Sequence, residues 1–233
     1  MKMVREFLAK QLLRNKGNLS FSQCGEDRIV KFIFNALHVD QPTYLDIGAH
    51  DPARLNNTYL LYLDGARGVC IEPNPRRFRA LKLARPRDVC INAGLAGYQS
   101  EKRPFFIFES DTLSTFSQTD AERYEREHNE RISETVMVDI ITPLDVRERH
   151  FPDPPDFVNL DVEGLELEIL TALDLAHYRP AVFCVETISY ATDGGGRKNE
   201  EIIRYLSQNG YLNYADTYIN NIFVDESQWR RHA

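Results

Sequence analysis

The chain has 233 residues, of which 42% are hydrophobic and 27% charged, the composition of a globular domain rather than of a disordered or fibrous chain. A chain of this length buries about 70% of the surface that it exposes when unfolded, so it can form a core without disulfides or a structural metal. Its 28 basic and 35 acidic residues give a net charge of −7, which disfavours a nucleic-acid-binding surface. No part of the sequence approaches the roughly 20 consecutive apolar residues of a membrane-spanning helix.

The predicted elements alternate between helices and strands along the chain. Residues 1–19 are predicted to form an amphipathic helix, a plausible contact surface for a homo-oligomer, and residues 20–233 a single domain. Ser20 and Gln23 fit a capping box that would open the next helix. Further helices are predicted at 55–63, 75–83, 120–132, 165–173 and 200–206, with a helix start at Thr142-Pro143. Strands are predicted at 43–47, 68–71, 88–91, 104–108, 135–141, 157–160, 181–185, 211–215 and 219–224.

This alternation indicates an α/β fold with a mostly parallel sheet and helices on both faces. The last two strands are close enough in sequence to form an antiparallel hairpin. A closing hairpin is typical of class I methyltransferases, whereas dehydrogenase sheets end in parallel strands. We therefore predict a Rossmann-like class I methyltransferase fold with a seven-stranded sheet, and an insertion at about 101–132 that covers the site.

Polar residues follow five of the predicted strands: Asp46, Glu72, Asn92, Asp161 and Glu186. In an open parallel sheet, ligands bind beyond the carboxyl ends of the strands. A single acidic residue after a strand is more often a turn or cap residue, but four at successive strand ends indicate a binding site.

The first of these turns, Asp46-Ile47-Gly48-Ala49-His50, lacks the three glycines that a pyrophosphate needs. An acidic residue before a single glycine suits a positively charged ligand such as S-adenosylmethionine, which carries a sulfonium and an ammonium group and no phosphate. Glu72, at the end of the second strand, would accept hydrogen bonds from the ribose hydroxyls. Asn92, after the third strand, could contact the adenine edge.

Four motifs together resemble those of the FkbM family of S-adenosylmethionine-dependent methyltransferases, over roughly Ser20 to Val224. They are Ser22-Gln23-x-x-Glu26-Asp27, Asp46-Ile47-Gly48-Ala49-His50-Asp51-Pro52, Ile71-Glu72-Pro73-Asn74-Pro75 and Leu160-Asp161-Val162-Glu163-Gly164-Leu165-Glu166. The resemblance implies O-methylation of a hydroxyl on a sugar, a glycan precursor or a natural product. The cofactor-binding residues expected from the motifs and the strand ends are Gln23, Asp27, Asp46, Gly48, His50, Glu72, Asn74, Asn92, Asp161 and Glu163.

A hydroxyl acceptor needs a base or a metal ion to become nucleophilic at neutral pH. Asp161 is the first candidate for the base, followed by His50, Glu186 and His128 of the charged helix. Asp161 and Glu186 could also hold Mg²⁺, which prefers oxygen ligands. Thr187 stands where relatives that use a metal usually carry a second acidic or amide group, so the metal remains an alternative.

Two other functions remain open at this stage. Glu72 alone would permit a nicotinamide-dependent oxidoreductase, and a cofactor-binding subunit without activity would share the fold. The expected partner is a small-molecule or glycan acceptor and not a nucleic acid. Cys24, Cys70, Cys90 and Cys184 form no C-x-x-C pair, and three lie in apolar runs, so we expect free thiols in a cytoplasmic protein.

Overall fold

A computed structural model describes residues 19–98, 102–128, 130–162, 164–188 and 196–232, so almost all of the predicted N-terminal helix lies outside the described residues. The described helices are α1 (Glu26–Ala36), α2 (Tyr59–Leu63), α3 (Pro75–Ala84), α4 (Gln118–His128), α5 (Pro143–His150), α6 (Glu166–Ala172), α7 (Glu200–Gln208) and α8 (Glu226–His232), with a short 3₁₀ helix at Asp111–Leu113. The strands are β1 (Tyr44–Ile47), β2 (Gly68–Ile71), β3 (Val89–Ile91), β4 (Gly94–Leu95), β5 (Arg103–Phe108), β6 (Ile132–Val138), β7 (Ile140–Ile141), β8 (Phe157–Leu160), β9 (Val182–Glu186), β10 (Tyr211–Asp216) and β11 (Asn220–Asp225). None of these helices is long and apolar enough to cross a membrane.

The central sheet has seven strands in the order β10-β11-β9-β8-β1-β2-β3. Strands β3, β2, β1, β8 and β9 are parallel to one another, whereas β11 is antiparallel to both β9 and β10. The predicted fold class, a mostly parallel sheet closed by an antiparallel hairpin, is confirmed. Strand β1 pairs with β2 on one side and with β8 on the other. The chain therefore adds strands outward from β1 first on one side and later on the other, and sheets of this kind bind ligands at such a switch point.

Helices cover both faces of the sheet, and successive side chains of a strand point to opposite faces, so each strand contributes to two cores. In β1, Leu45 and Ile47 join the core under α5, α6 and α7, whereas Tyr44 joins the core under α1 and α2. The strands in the middle of the sheet are therefore mostly apolar, with Asp46 in β1 and Asn159 in β8 as buried polar exceptions, which explains why short β-branched and aromatic runs predicted them well.

Two helix starts differ in how well the sequence predicted them. Thr142 caps α5 in a capping box with Asp145, and Pro143 occupies the first turn, as predicted. The predicted capping box of Ser20 and Gln23 is wrong. Helix α1 begins at Glu26 after the left-handed Gly25, and the Ser20 hydroxyl instead donates to the Asp27 carboxylate at 2.7 Å.

The insertion forms a small substructure of its own beside the central sheet. Strands β5 and β6 pair antiparallel, and β7 pairs with β4 in a separate two-stranded sheet, so the predicted strand at 135–141 is two strands. A separate small core beneath α4 contains Phe108, Leu113 and Tyr124. This packing holds the segment after β5 over the carboxyl edge of the central sheet.

Candidate functional site

A cavity of about 430 Å³ lies at the carboxyl ends of β1, β2, β8 and β9. Eight of the predicted site residues line it: Gln23, Asp46, Gly48, His50, Glu72, Asn74, Asp161 and Glu186. Asp27 and Asn92 do not line it, and Glu163 lies outside the described residues. The structure therefore brings most of the predicted residues to one cavity, while Asp27 of the first motif and Asn92 after β3 lie outside its wall.

Gly48 makes the turn after β1 possible. Its φ of +80° lies in the left-handed region, and a Cβ there would stand 1.8 Å from the Asp161 carbonyl oxygen. The amides of Gly48 and Ala49 both donate to the carbonyl of Ile71, at 3.0 and 3.1 Å. The turn is thus clamped between the ends of β2 and β8, and only glycine fits at its centre.

Glu72 is almost fully buried at the end of β2. One carboxylate oxygen accepts the backbone amide of His50 at 2.7 Å, and the other accepts that of Asn74 at 2.7 Å. Burial raises the pKa of Glu72 to about 7, despite these hydrogen bonds and the nearby Arg77, which lower it. A ligand that donates hydroxyl hydrogens to the remaining lone pairs would favour the ionised carboxylate.

Asp46 lies at the base of the cavity, with its carboxylate already paired to protein groups. One oxygen accepts from the Thr58 hydroxyl at 2.6 Å and the other from the Asn159 amide at 2.9 Å. Asn57 in turn donates to Asn159 at 2.8 Å. Asp46 therefore organises the loop between β1 and α2, because its oxygens hold the polar side chains beneath the cavity in place.

Arg85, at the end of α3, is fully buried under this network. Its guanidinium donates to the Thr58 hydroxyl at 2.7 Å, the Asn56 side chain at 2.6 Å and the Pro52 carbonyl at 2.9 Å. The carboxylates of Asp46 and Asp88 lie 3.8 and 3.7 Å away. Arg85 thus compensates two buried charges and fixes the loop that follows His50.

The same contacts explain why the helix predicted at 55–63 begins only at Tyr59. The Asn56 amide donates to the carbonyls of Ala49 and Asp51, which holds the preceding residues in a loop. The apolar spacing gave no indication of this buried polar network.

Asp161 and Glu186 end β8 and β9 side by side, because the register of the two strands pairs Leu160 with Val185. Burial, followed by the charge of Glu166, raises the pKa of Asp161 to about 7, although a hydrogen bond with the Glu186 side chain opposes this. Asp161 can therefore take up or release a proton near neutral pH, which suits a general base.

The motif before α1 is divided between the cavity and its support. Gln23 lines the cavity, whereas the Asp27 carboxylate accepts from Ser20, Ser22 and the Phe21 amide and folds the segment back on itself. Asp27, one of the expected cofactor-binding residues, thus supports the loop that carries Gln23 and does not line the cavity.

Asn74 and Asn92 also have structural partners. Asn74 caps α3 through a bond from the Arg76 amide at 2.9 Å, while still lining the cavity. Asn92 donates to the carbonyls of Glu72 and Pro73 at 2.8 and 2.9 Å, which keeps its amide nitrogen off the cavity wall. Asn92 thus shapes the Glu72 turn instead of facing a ligand.

Asp161 and Glu186 are also the residues expected to hold Mg²⁺. Within the described ranges no group of three or more histidine, cysteine, aspartate or glutamate side chains is arranged to hold a metal ion. The two expected ligands lie side by side at the ends of β8 and β9, and both line the cavity. His50 lines the cavity, and the side chain of His128 lies outside what the structure describes.

Several site residues were not singled out from the sequence. Asn159 gave no signal because a lone asparagine in an apolar run has no spacing to recognise, and Asn57 lies in the polar run Asn56-Asn57-Thr58, which is typical of a loop. The cavity wall opposite β1 is built from the insertion and from the final hairpin, which lie far from the motifs in sequence. These residues are Phe105, Thr112, Leu113, Ser114, Phe116, Tyr218 and Ile219.

A family model described as a methyltransferase FkbM domain matches residues 46–212. A comparison with proteins of curated function gives no match.

Three solved structures are similar to the chain, with 10 to 14% sequence identity. Methyltransferase FkbM from Methylobacillus flagellatus KT is 14% identical with a TM-score of 0.45, over 79% of this chain and 44% of that one. The chain thus spans less than half of the length of that protein. A TehB-like SAM-dependent methyltransferase from Corynebacterium glutamicum is 10% identical with a TM-score of 0.44, over 96% and 97% of the two chains. An O-methyltransferase from Bacillus cereus, in complex with SAH, is 11% identical with a TM-score of 0.41, over 96% and 90%.

Proposed function

Since the chain belongs to the FkbM methyltransferase family, we propose that it transfers a methyl group from S-adenosylmethionine to a hydroxyl of a sugar, a glycan precursor or a natural product. The observation that carries the proposal is the charge of the cavity. Four carboxyl-bearing residues line it, Asp46, Glu72, Asp161 and Glu186, and no lysine or arginine does so among the described residues. Such a wall favours a cationic cofactor over one that carries phosphates.

The residues at the ends of β1 and β2 fit this cofactor. Gly48 lets the turn after β1 pack directly on the Asp161 backbone and line the cavity, and Glu72 offers buried acceptor oxygens for the ribose hydroxyls. When bound, S-adenosylmethionine supplies an activated methyl group on its sulfonium sulfur. Gln23 and His50 would border the cofactor from the loops before α1 and after β1.

The carboxyl pair after β8 and β9 supplies the proton acceptor. In its ionised form, Asp161 would accept the proton of the acceptor hydroxyl, with Glu186 beside it. The bound cofactor would supply the methyl group, with the sulfonium carbon–sulfur bond breaking and S-adenosylhomocysteine leaving as the new oxygen–carbon bond forms. The cavity wall would orient the hydroxyl, and such alignment provides much of the acceleration in a displacement. The proposed step uses no metal ion.

The two other functions are less well supported. A nicotinamide cofactor carries a pyrophosphate, which needs a glycine-rich turn or positive charge nearby. The Asp46–His50 turn has a single glycine, and no lysine or arginine of the described residues lines the cavity. A subunit without activity would have no need of two adjacent carboxyl groups at the buried edge of the sheet. Methyl transfer explains both features.

Calorimetry with S-adenosylmethionine and S-adenosylhomocysteine tests the cofactor assignment. We expect both to bind, and Gly210→Ala, remote from the cavity, serves as a folded control. Absence of binding to either compound would overturn the proposal.

The reaction is tested by incubating the enzyme with hydroxylated acceptors, with and without EDTA, and measuring by mass spectrometry the addition of one methyl group. Methylation of nitrogen or carbon alone would exclude O-methylation, and complete loss of activity with EDTA would contradict the metal-free mechanism.

A further inference from the structure

The mouth of the cavity carries two exposed apolar side chains on strained backbone. Among the described residues, only His38, His50, Leu55 and Tyr218 combine a side chain with a left-handed backbone, and the last three line the cavity. Left-handed backbone at residues other than glycine costs of the order of 1–3 kcal/mol and gathers at sites where the surrounding structure imposes it. This clustering suggests that the two exposed side chains at the mouth are displayed for a ligand.

Tyr218 is the clearest case. It has a φ of +76° in the turn between β10 and β11, and its side chain remains 54% exposed although it lines the cavity. The Tyr218 amide donates to Asp216 at 2.7 Å. A tyrosine that lines a cavity with about half of its side chain exposed can pack against one face of a ring.

The turn that carries Tyr218 is anchored by a buried carboxylate on a distant segment. Glu26 is fully buried, and its oxygens accept the Thr217 hydroxyl at 2.7 Å, the Asn220 amide at 3.1 Å and the Cys24 amide at 2.8 Å. Although burial raises the pKa of Glu26, the bond from Thr217 and the others outweigh it and lower the pKa. Glu26 thereby holds the Tyr218 turn beside Gln23 of the same motif.

The rest of the mouth is polar but carries no positive charge. Gln23, Thr112 and Ser114 bring an amide and two hydroxyls to the same cavity, and no lysine or arginine of the described residues joins them. An acceptor bearing a phosphate or a carboxylate would meet four carboxyl-bearing residues there without a counter-charge. Neutral hydrogen-bonding groups around one aromatic face match a ring that carries hydroxyls.

We infer that Tyr218 determines acceptor specificity by packing against the apolar face of a neutral saccharide ring, with Glu26 as the positioning residue of its turn. The inference rests on the proposed methyl transfer and deepens it. It excludes sugar phosphates and nucleotide-linked sugars as acceptors, and it disfavours open-chain polyols, which lack a rigid ring face.

Saturation-transfer NMR on the protein loaded with S-adenosylhomocysteine tests the inference. The probes are methyl α-D-glucopyranoside, glucose 6-phosphate, sorbitol and catechol. We expect ring protons of the glucoside to receive saturation and the other three compounds to receive much less. Loss of the aromatic face in Tyr218→Ala should weaken glucoside binding about 2- to 12-fold. Tyr218→Phe keeps the ring and should retain the signal.

Tyr98→Ala is the matched control, because Tyr98 is equally exposed (55%) and does not line the cavity. Calorimetry should give the same affinity for S-adenosylhomocysteine in all variants. If the wild type binds S-adenosylhomocysteine but the glucoside signal is absent, or is unchanged in Tyr218→Ala, the inference fails while the proposed function stands. Stronger binding of catechol or of glucose 6-phosphate also overturns it. If S-adenosylhomocysteine itself does not bind, the proposed function fails.

Discussion

Replacing Gly48 by alanine tests whether the turn after β1 requires glycine for steric reasons. The added Cβ would stand 1.8 Å from the carbonyl oxygen of Asp161 and 2.9 Å from its carbonyl carbon. Both atoms belong to backbone, so no side chain can rotate away. To reach an ordinary contact, the ends of β1 and β8 must separate by roughly 1 Å or more, which displaces Asp161 from Glu72 and from the cavity floor.

The expected cost has two parts. A left-handed backbone costs an alanine about 1–2 kcal/mol, and overpacking against fixed atoms adds about 1–3 kcal/mol. In a domain of this size each kcal/mol lowers the Tm by about 2–4 °C. Gly210 has the same φ of +80°, but a Cβ there meets only the Arg179 side chain at 3.5 Å. Gly210→Ala should therefore show the first cost alone.

The assay compares thermal unfolding and calorimetric binding of S-adenosylhomocysteine for Gly48→Ala, Gly210→Ala and the wild type. Both variants gain the same small stabilisation from a less flexible unfolded chain, so that effect cancels. We expect the Tm of Gly48→Ala to lie a further 2–12 °C or so below that of Gly210→Ala, and its affinity to fall at least about tenfold. Equal Tm values and equal affinities in the two variants would refute the steric argument.

Three further predictions concern charged groups. Arg85→Met leaves Asp46 and Asp88 buried without a cation, so chemical denaturation should show a free energy of unfolding lower by about 3–5 kcal/mol. The exposed Arg79→Met is the control and should change the free energy of unfolding little. Similar losses in both variants would contradict the buried role of Arg85. Burial raises the pKa of Glu72 from 4.5 to about 7, so the stability that its protonated form contributes to the ligand-free protein is lost as pH rises through about 7. Binding of S-adenosylhomocysteine favours the ionised form, so the affinity should strengthen between about pH 6 and 8. Glu72→Gln should flatten both dependences in differential scanning calorimetry and titration calorimetry, and unchanged slopes would show that another group titrates. Asp161→Asn should bind S-adenosylhomocysteine within about threefold of the wild type, but its kcat should fall by a factor of about 10²–10⁴. The increase of kcat with pH near 7 in the wild type should be absent from the variant. A fully active variant would remove Asp161 from the mechanism.

The central sheet and the main elements of the site followed from the sequence because they obey local rules. Buried parallel strands are short apolar runs, so β2 and β8 were predicted with the same bounds that the structure gives. The residues at the ends of such strands meet at one edge whatever the loops do, so Glu72, Asp161 and Glu186 could be placed together. The helix start at Thr142-Pro143 likewise depends on adjacent residues alone.

Other features depend on contacts between distant segments and could not be predicted. Asp27 lies in a motif and Asn92 follows a strand, yet their hydrogen bonds turn both toward the backbone around them. Nothing near Arg85 in sequence indicates that it lies beneath Asp46, because that contact exists only when α3 packs against the loop after β1.

By itself, the sequence determined a domain with a net charge of −7, a mostly parallel sheet and a set of acidic strand ends, since these depend on composition and local periodicity. The tertiary structure alone decided which carboxyl groups lie side by side, since the proximity of Asp161 to Glu186 depends on the neighbouring positions of β8 and β9. It also decided what faces the site. Tyr218 and the insertion reach the cavity only because the hairpin and the β5–β6 pair fold back over one edge of the sheet.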